Sequence, residues 1–418
     1  MVDQTITIPK EWKASTLEEV VLKASTGADA IKRAPIVNLD TGIRCLRIQD
    51  VSQKKDYKNW GFTSVSASDF EKFQLKKGEL FIARTGASIG VNLIINKDLN
   101  AVFNNGLIRL RVNNKSIPEY VSYLLFSKSF KNYILSISQG TSTQPNIQIG
   151  ALLRFPIMIP PISEQHAIVS VLSSLDKKID LLKEQNKTLE ATAQTIFKEW
   201  FVNFNFPGAT GKMIDSELGE IPKGWRVEKI SDIFEFIKGS EPGAANYSNK
   251  KLNNNYVPFY RVQDISQYGD IPNIYVEEKL LRGKIFSPDD ILISLDGTIG
   301  RVFIGGTGGH SGGIRRVVKK HDLIKKSLIF CFLKSPKFQS NLGSFSGAET
   351  TIKHAGGAIE HIKFALNEDV CEKFGNTFDP LFYKAISNIT QIKTLSTLRD
   401  TLLPKLMTGN VRVREFEN

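Results

Sequence analysis

The chain says several things twice. Ile8-Pro9-Lys10-Glu11-Trp12 returns as Ile221-Pro222-Lys223-Gly224-Trp225. Leu46-Arg47-Ile48-Gln49-Asp50-Val51-Ser52-Gln53 returns as Tyr260-Arg261-Val262-Gln263-Asp264-Ile265-Ser266-Gln267. Glu79-Leu80-Phe81-Ile82-Ala83-Arg84-Thr85-Gly86, with Ser88-Ile89-Gly90 behind it, matches Asp290-Ile291-Leu292-Ile293-Ser294-Leu295-Asp296-Gly297 with Thr298-Ile299-Gly300. Gln139-Gly140-Thr141-Ser142-Thr143-Gln144 parallels Ser346-Gly347-Ala348-Glu349-Thr350-Thr351, and Gln185-Asn186-Lys187-Thr188-Leu189 parallels Gln391-Ile392-Lys393-Thr394-Leu395. In chain order the offsets are 213, 214, 211, 207 and 206. Five colinear matches with so little drift mark an internal duplication, so whatever the first half folds into must be built again by the second.

Each half ends in a long helical stretch. Leu172, Leu175, Ile179, Leu182, Asn186, Leu189, Ala193, Ile196 and Trp200 follow a 3-4-3-4 spacing, apolar except for Asn186, with charged and polar residues between. Such a narrow seam suits a helix that pairs lengthwise with another. Adding 206 gives the partner: Phe378, Leu381, Ala385, Asn388, Ile392, Leu395, Arg399, Leu402 and Leu406. If the halves are related by a two-fold, the helices run antiparallel and paired residue numbers have a constant sum. Aligning Asn186 with Asn388 fixes it at 574, which places Leu182 by Ile392, Ile179 by Leu395, Leu189 by Ala385 and Ala193 by Leu381. Arg399 opposite Leu175 is the one poor layer, near an end where the guanidinium can reach water. Pro160-Pro161 closes the first globular region, Ser163 is the expected N-cap, and Glu164 suits the first turn. Asn205-Phe206-Pro207-Gly208 and Thr408-Gly409 are the stops.

The expected organisation is α+β: two pseudo-two-fold-related, mixed β-rich domains joined by two long antiparallel coiled-coil helices. The segments are a domain over 1–158, a spacer helix over 159–206, a second domain over 207–368, a C-terminal spacer helix over 369–410 and a tail over 411–418. Both Leu46–Gln53 and Tyr260–Gln267 alternate apolar and polar residues and read as strands.

The net charge of +12 is unevenly spread. Residues 1–158 hold 21 Lys+Arg against 13 Asp+Glu and residues 207–368 hold 22 against 18, whereas 159–206 (5 against 6) and 369–418 (7 against 6) are near neutral. A surplus confined to the two globular segments fits polyanion binding at two places. Cys45, Cys331 and Cys371 are too few and too scattered for a disulfide framework or a CxxC zinc site. No stretch is long and apolar enough to span a bilayer, and Met1–Lys10 lacks a signal peptide's charged head and apolar run, so a cytoplasmic location is expected.

Signatures of chemistry are missing. There is no GxxxxGK[ST], HExxH or GxSxG, and no Asn-Pro-Pro-Tyr-like run for stacking a flipped base. The glycine-rich segment 305–313 lacks the lysine and helix start of a phosphate loop and reads as a flexible loop. His354 and His361 have no ligand-like neighbours, so no metal site and no catalytic residue is expected. DNA readers are better represented. Arg47 and Gln49 with Arg261 and Gln263, Arg84 and Thr85 at the first glycine turn, Asn104, Asn105, Gln144 and Asn146, and Arg315, Arg316 and Lys353 carry side chains suited to base edges or phosphates. Residues shared by both copies, such as Arg47/Arg261 and Asp50/Asp264, suit scaffold or phosphate roles. Those that differ suit base reading, because two different half-sites need different side chains.

Pro160-Pro161-Ile162-Ser163-Glu164-Gln165 leading into the first helix and Leu402-Leu403-Pro404-Lys405-Leu406-Met407-Thr408-Gly409 near the end complete a pattern that covers the whole chain. It resembles the DNA-specificity (S) subunits of type I restriction–modification systems. That resemblance implies two target-recognition domains, each reading half of a bipartite asymmetric site in double-stranded DNA. It also implies a helical spacer that docks two methyltransferase subunits, assembly with restriction subunits, and no catalysis by this chain. It places S-adenosylmethionine, ATP and Mg on partner subunits and none on this one. The second copy departs from the pattern, with Ala365-Leu366-Asn367-Glu368 where the first has its prolines. A seam of about 42 Å held rigid suits readers set about one helical turn apart on a duplex. From another class, a coiled-coil scaffold with two protein-binding ends has the same outline; steep salt dependence of duplex affinity separates the two. A stand-alone nuclease or methyltransferase would need activity without partners.

Overall fold

Both copies assemble their main sheet in the same order. In the first, Leu107–Val112 lies between Val21–Thr26 and Leu80–Ala83, and the latter also pairs with Asn92–Ile94. In the second, Ile314–Lys319 lies between Phe234–Lys238 and Ile291–Ser294, which pairs with Val302–Phe303. Every pairing is antiparallel. A smaller sheet in each copy contains one parallel pair: Arg44–Leu46 beside Ala101–Phe103, and Phe259-Tyr260 beside Gly309-His310. Leu80–Ala83 and Ile291–Ser294 are buried along their whole length, as expected where both faces are covered, while the strands between them and the edge carry arginines among their apolar residues. A last two-stranded ribbon, Lys13–Thr16 with Pro156–Ile159 and Arg226–Lys229 with Lys363–Leu366, hands each chain half to its long helix.

This computed structural model describes residues 9–138, 146–265, 271–344 and 355–413. The helices run over Ile162–Phe201 and Glu368–Met407, 40 residues each. Contacts divide the chain into unit 1, Met1–Asp176 with Thr397–Asn418, and unit 2, Lys177–Ser396. Each unit therefore owns part of both helices.

In unit 2 the expected register is present. Asn388 donates from Nδ2 to Asn186 Oδ1 at 2.9 Å, and Asn186 Nδ2 donates to the Ala385 carbonyl at 3.2 Å. Both amides are buried, and Ile179, Leu182, Ile392 and Leu395 form one apolar cluster beside them. Toward Phe201 the seam widens. Ala193, Phe197 and Phe201 are buried together with Phe374, Phe378, Phe382, Ile386 and Ile389 in the core of the second globular region, whereas Ile196 and Trp200 are only partly covered. Three bodies meet here, so a stripe wider than a coiled-coil seam is required. In unit 1, Ile168, Leu172, Leu402 and Leu406 share one cluster, as a sum of 574 demands.

Several local expectations are corrected. Arg399 keeps 31% of its side chain in solvent but is also held by the protein: it donates to Asp176 at 2.9 Å, and the Tyr123 hydroxyl donates to the other Asp176 oxygen at 2.7 Å. Ser163 is inside the first helix, which starts one residue earlier. Gln165, fully buried, staples it to the globular region by accepting from Ser116 Oγ and Ile117 N and donating to the Lys115 and Pro160 carbonyls. Glu164 accepts from Trp12 Nε1 at 2.8 Å and from Arg412 Nη2 at 2.9 Å. The second helix takes Asn367 as its cap, whose Oδ1 accepts from Val370 N at 3.2 Å. The segments expected as strands over 46–53 and 260–267 turn into short helices at Ile48–Ser52 and Val262–Asp264. In each, the carboxylate of the Asp three residues on accepts from both the backbone N–H and the Nε of Arg47 or Arg261, a local bond that outweighs the alternating pattern. Glycines 305–313 are no flexible loop. Gly309 lies in the small sheet, where a Cβ would meet Leu281 at 2.5 Å, and Gly308 at φ +138 sits against the Pro258 carbonyl.

Cysteines placed at Leu182 and Ile392 should form a disulfide on mild oxidation, while Leu182 with a position one heptad from Ile392 should not; preferential trapping of the shifted pair would overturn the register. Shortening Asn186 to alanine leaves the buried Asn388 amide with only a long bond to Gln185 Oε1 at 3.4 Å, and should cost about 1–3 kcal/mol in denaturant unfolding.

A second expectation concerns His310, which occupies the place of Phe103 in the first copy. Phe103 packs edge-on against Phe73 and Phe81. His310 is as deeply buried, its Nδ1 has no hydrogen-bond partner among the described residues, and burial pushes its pKa from the ordinary 6.5 down to about 4. Between those values the unfolded chain binds a proton that the folded one refuses. Stability is therefore lost as pH falls from 6.5 toward about 4, by on the order of 3 kcal/mol when complete. His310→Phe should flatten that acid sensitivity in melts at pH 7 and pH 4.5; an unchanged slope would place its source elsewhere.

Candidate nucleic-acid interface

At one end of each main sheet, five segments are drawn together by main-chain hydrogen bonds. In unit 1, Arg84 N donates to Gly106 O at 3.0 Å, Gly90 N to Ala83 O at 2.8 Å and Asn104 N to Leu46 O at 3.3 Å. Ile147 N reaches Arg84 O at 2.9 Å, and Ala28 N reaches Phe103 O at 3.0 Å. Unit 2 repeats all five, as Leu295 to Gly313 (2.9 Å), Gly300 to Ser294 (2.8 Å), Ser311 to Tyr260 (2.9 Å), Ala355 to Leu295 (2.8 Å) and Ser240 to His310 (2.9 Å). The rims share a backbone frame and differ in the side chains it carries.

The unit 1 frame gathers Arg47, Gln49, Arg84, Thr85, Asn104, Asn105 and Asn146. Thr85 and Asn146 face each other in an isolated antiparallel bridge, and Arg84 Nε donates to Asn146 Oδ1 at 3.2 Å. Asn104 turns its amide oxygen inward to Gly106 N at 3.2 Å, while the side chains of Gln49 and Asn105 are exposed. Gln144 lies outside the described residues. The unit 2 frame gathers Arg261, Gln263 and Arg315; Arg316 is not brought to it and reaches instead toward Asp290, at the other end of the neighbouring strand, and Lys353 lies outside the described residues.

Shared and unshared cations differ in their bonding. Arg47 sits 3.1 Å from the fully buried Asp50 carboxylate, and Arg261 sits 2.7 Å from Asp264, whose hydrogen bonds drive the Arg261 pKa further upward. Arg316 donates to Ile285 O at 3.1 Å and lies 3.6 Å from Asp290; its counterpart Arg109 lies 3.4 Å from Glu79, and both of those are nearly buried. These four arginines hold the scaffold. Arg315, on the opposite face of its strand from Arg316, folds back onto the Gly312 and Ile314 carbonyls and approaches Asp296 to 4.0 Å.

Further residues take part whose types gave little sign of it in the sequence. Asp296 stands in unit 2 where Thr85 stands in unit 1, and the repeat alignment already paired them. Glu241 accepts from Gly312 N at 2.7 Å and so brings a second carboxylate to that rim. The Arg109–Glu79 pair left only a charge alternation within an apolar strand as its signal. No group of His, Cys, Asp and Glu among the described residues could hold a metal ion, and no helix among them is long and apolar enough to cross a membrane.

The family model "Type I restriction modification DNA specificity domain" matches residues 9–191 and again 222–367. The type I restriction enzyme MjaIX specificity subunit of Methanocaldococcus jannaschii is 28% identical over 98% of this chain and 95% of its own length. The HindI specificity subunit of Haemophilus influenzae is 24% identical over 96% of this chain and 100% of its own. A crystal structure of the type I restriction–modification S subunit from M. genitalium superposes with a TM-score of 0.58 over 97% of this chain and 98% of that one, at 18% identity, and so shares the fold. With two copies of the domain spanning most of its length, the chain belongs to the type I restriction–modification DNA-specificity family.

Proposed function

We propose that this chain is the sequence-reading subunit of a type I restriction–modification complex, each globular region reading one half of a bipartite, asymmetric site in double-stranded DNA. One observation carries the reading. Two rims with the same five backbone hydrogen bonds carry different side chains, Arg84 and Thr85 in one and the buried Leu295 with the polar Asp296 in the other. A shared frame with unshared polar groups suits two related readers of different sequences. The basic surplus of the globular regions supports a polyanionic partner.

In this reading the long helices set the spacing of the two half-sites and dock two methyltransferase subunits, with restriction subunits joining the full assembly. The chain itself performs no chemistry. S-adenosylmethionine, ATP and Mg act on the partner subunits, and the complex works on DNA in the cytoplasm. The neutral charge of both helices supports a protein-facing rather than DNA-facing role.

The test is to co-express the chain with the methyltransferase subunit and map methylated adenines. A split, non-palindromic motif is expected, and duplex affinity of the complex should fall steeply with salt, log K declining by about 0.9 for each phosphate neutralised. Lengthening both helices by one heptad, about 10.5 Å, should widen the unread gap by about 3 bp. An unchanged gap would dismiss the helices as a ruler, and salt-indifferent binding would dismiss DNA reading.

A further inference from the structure

Several other arginines of unit 1 are already spoken for. Arg44 donates to the Trp60 carbonyl and lies 4.1 Å over the Phe62 ring; Arg47 belongs to Asp50; Arg33 belongs to Asp69. Arg84 is bonded differently. Its Nε donates to Asn146 Oδ1 at 3.2 Å, and its two η nitrogens have no partner among the described residues. With Nε occupied, the guanidinium keeps the Nη1–Nη2 edge open, a fixed pair of parallel donors that matches the O6 and N7 acceptors of guanine in the major groove.

The orienting amide is itself built in. Asn146 is bridged to Thr85, and Ile147 N donates to the Arg84 carbonyl at 2.9 Å, so the side chain is aimed from a position tied to its own backbone. In unit 2 the counterpart of Arg84 is Leu295, fully buried and without a donor.

We propose that Arg84 reads the guanine of a G·C pair in the half-site recognised by the first globular region, and that Asn146 is its positioning residue. This rests on the DNA-reading role of the rims.

The experiment is methylation mapping of the complex carrying wild type, Arg84→Ala, Arg84→Lys, Asn146→Ala or Asn146→Asp. Wild type should require a G·C pair in one half. Arg84→Ala and Arg84→Lys, which keeps charge but loses the fork, should relax that single position, discrimination falling between about 5-fold and 150-fold, with the other half-site unchanged. Asn146→Ala should relax the same position, whereas Asn146→Asp, still an acceptor for Nε, should keep the preference for guanine but lower overall affinity, because its carboxylate competes with the DNA for the guanidinium. A uniform loss across all sequences with a smaller salt slope would make Arg84 a phosphate contact and overturn the proposal, as would relaxation at no position. A wild-type complex with no split motif would instead overturn the underlying reading of the rims. Thermal melts of each variant separate these outcomes from misfolding.

Discussion

The main-chain bonds that close each rim are the constraint on which the rest depends. Arg84 N to Gly106 O and Leu295 N to Gly313 O use no side-chain atom, so the position holds whether its residue is a long cation or a buried leucine. Backbone groups withdrawn from water must find partners in any case. Spending them on loop closure leaves the side chains free to change. A fold held this way can alter what it presents without altering its frame, which is the property a reader of variable sequences needs.

The helices solve a different problem, that of staying in one register over 40 residues. Apolar layers alone tolerate slippage by a heptad, because leucine packs nearly as well on the next leucine. The Asn186–Asn388 bond does not tolerate it, since any shifted register would bury two amides without their partner. The Tyr123–Asp176–Arg399 chain of hydrogen bonds does the same within unit 1, with one helix, the other helix and the globular region each contributing one residue.

The duplication, the two helices and their pairing sum were legible in the sequence because periodicity and repetition are properties of residue order. Those signals placed Asn186 against Asn388. What the sequence concealed was competition between local bonds and pattern. Arg47-Ile48-Gln49-Asp50 alternates like a strand, yet the carboxylate three residues on from the arginine caps a helical turn. Glycines 305–313 look like a flexible loop, yet their missing side chains make room for Leu281, Pro258 and Phe303 to approach the backbone. The candidate rim residues were found by type and brought together by the fold in unit 1, but type could not separate Arg84 from Arg47. Only the partners of each guanidinium do that.

That distinction follows from the energetics of burying charge. A guanidinium taken from water into a rim must recover its hydration from fixed acceptors, and a carboxylate serves best when the pair is permanent. Arg47, Arg261, Arg109 and Arg316 are matched in this way, and both copies keep the pattern. A cation meant for a transient partner requires the opposite arrangement. It needs enough restraint to limit the entropy lost on binding, and no carboxylate to compete with the ligand. A neutral amide bonded to Nε alone provides that restraint without satisfying the charge. The Arg84–Asn146 contact is therefore weak as a stabilising interaction for the same reason that it is suited to recognition.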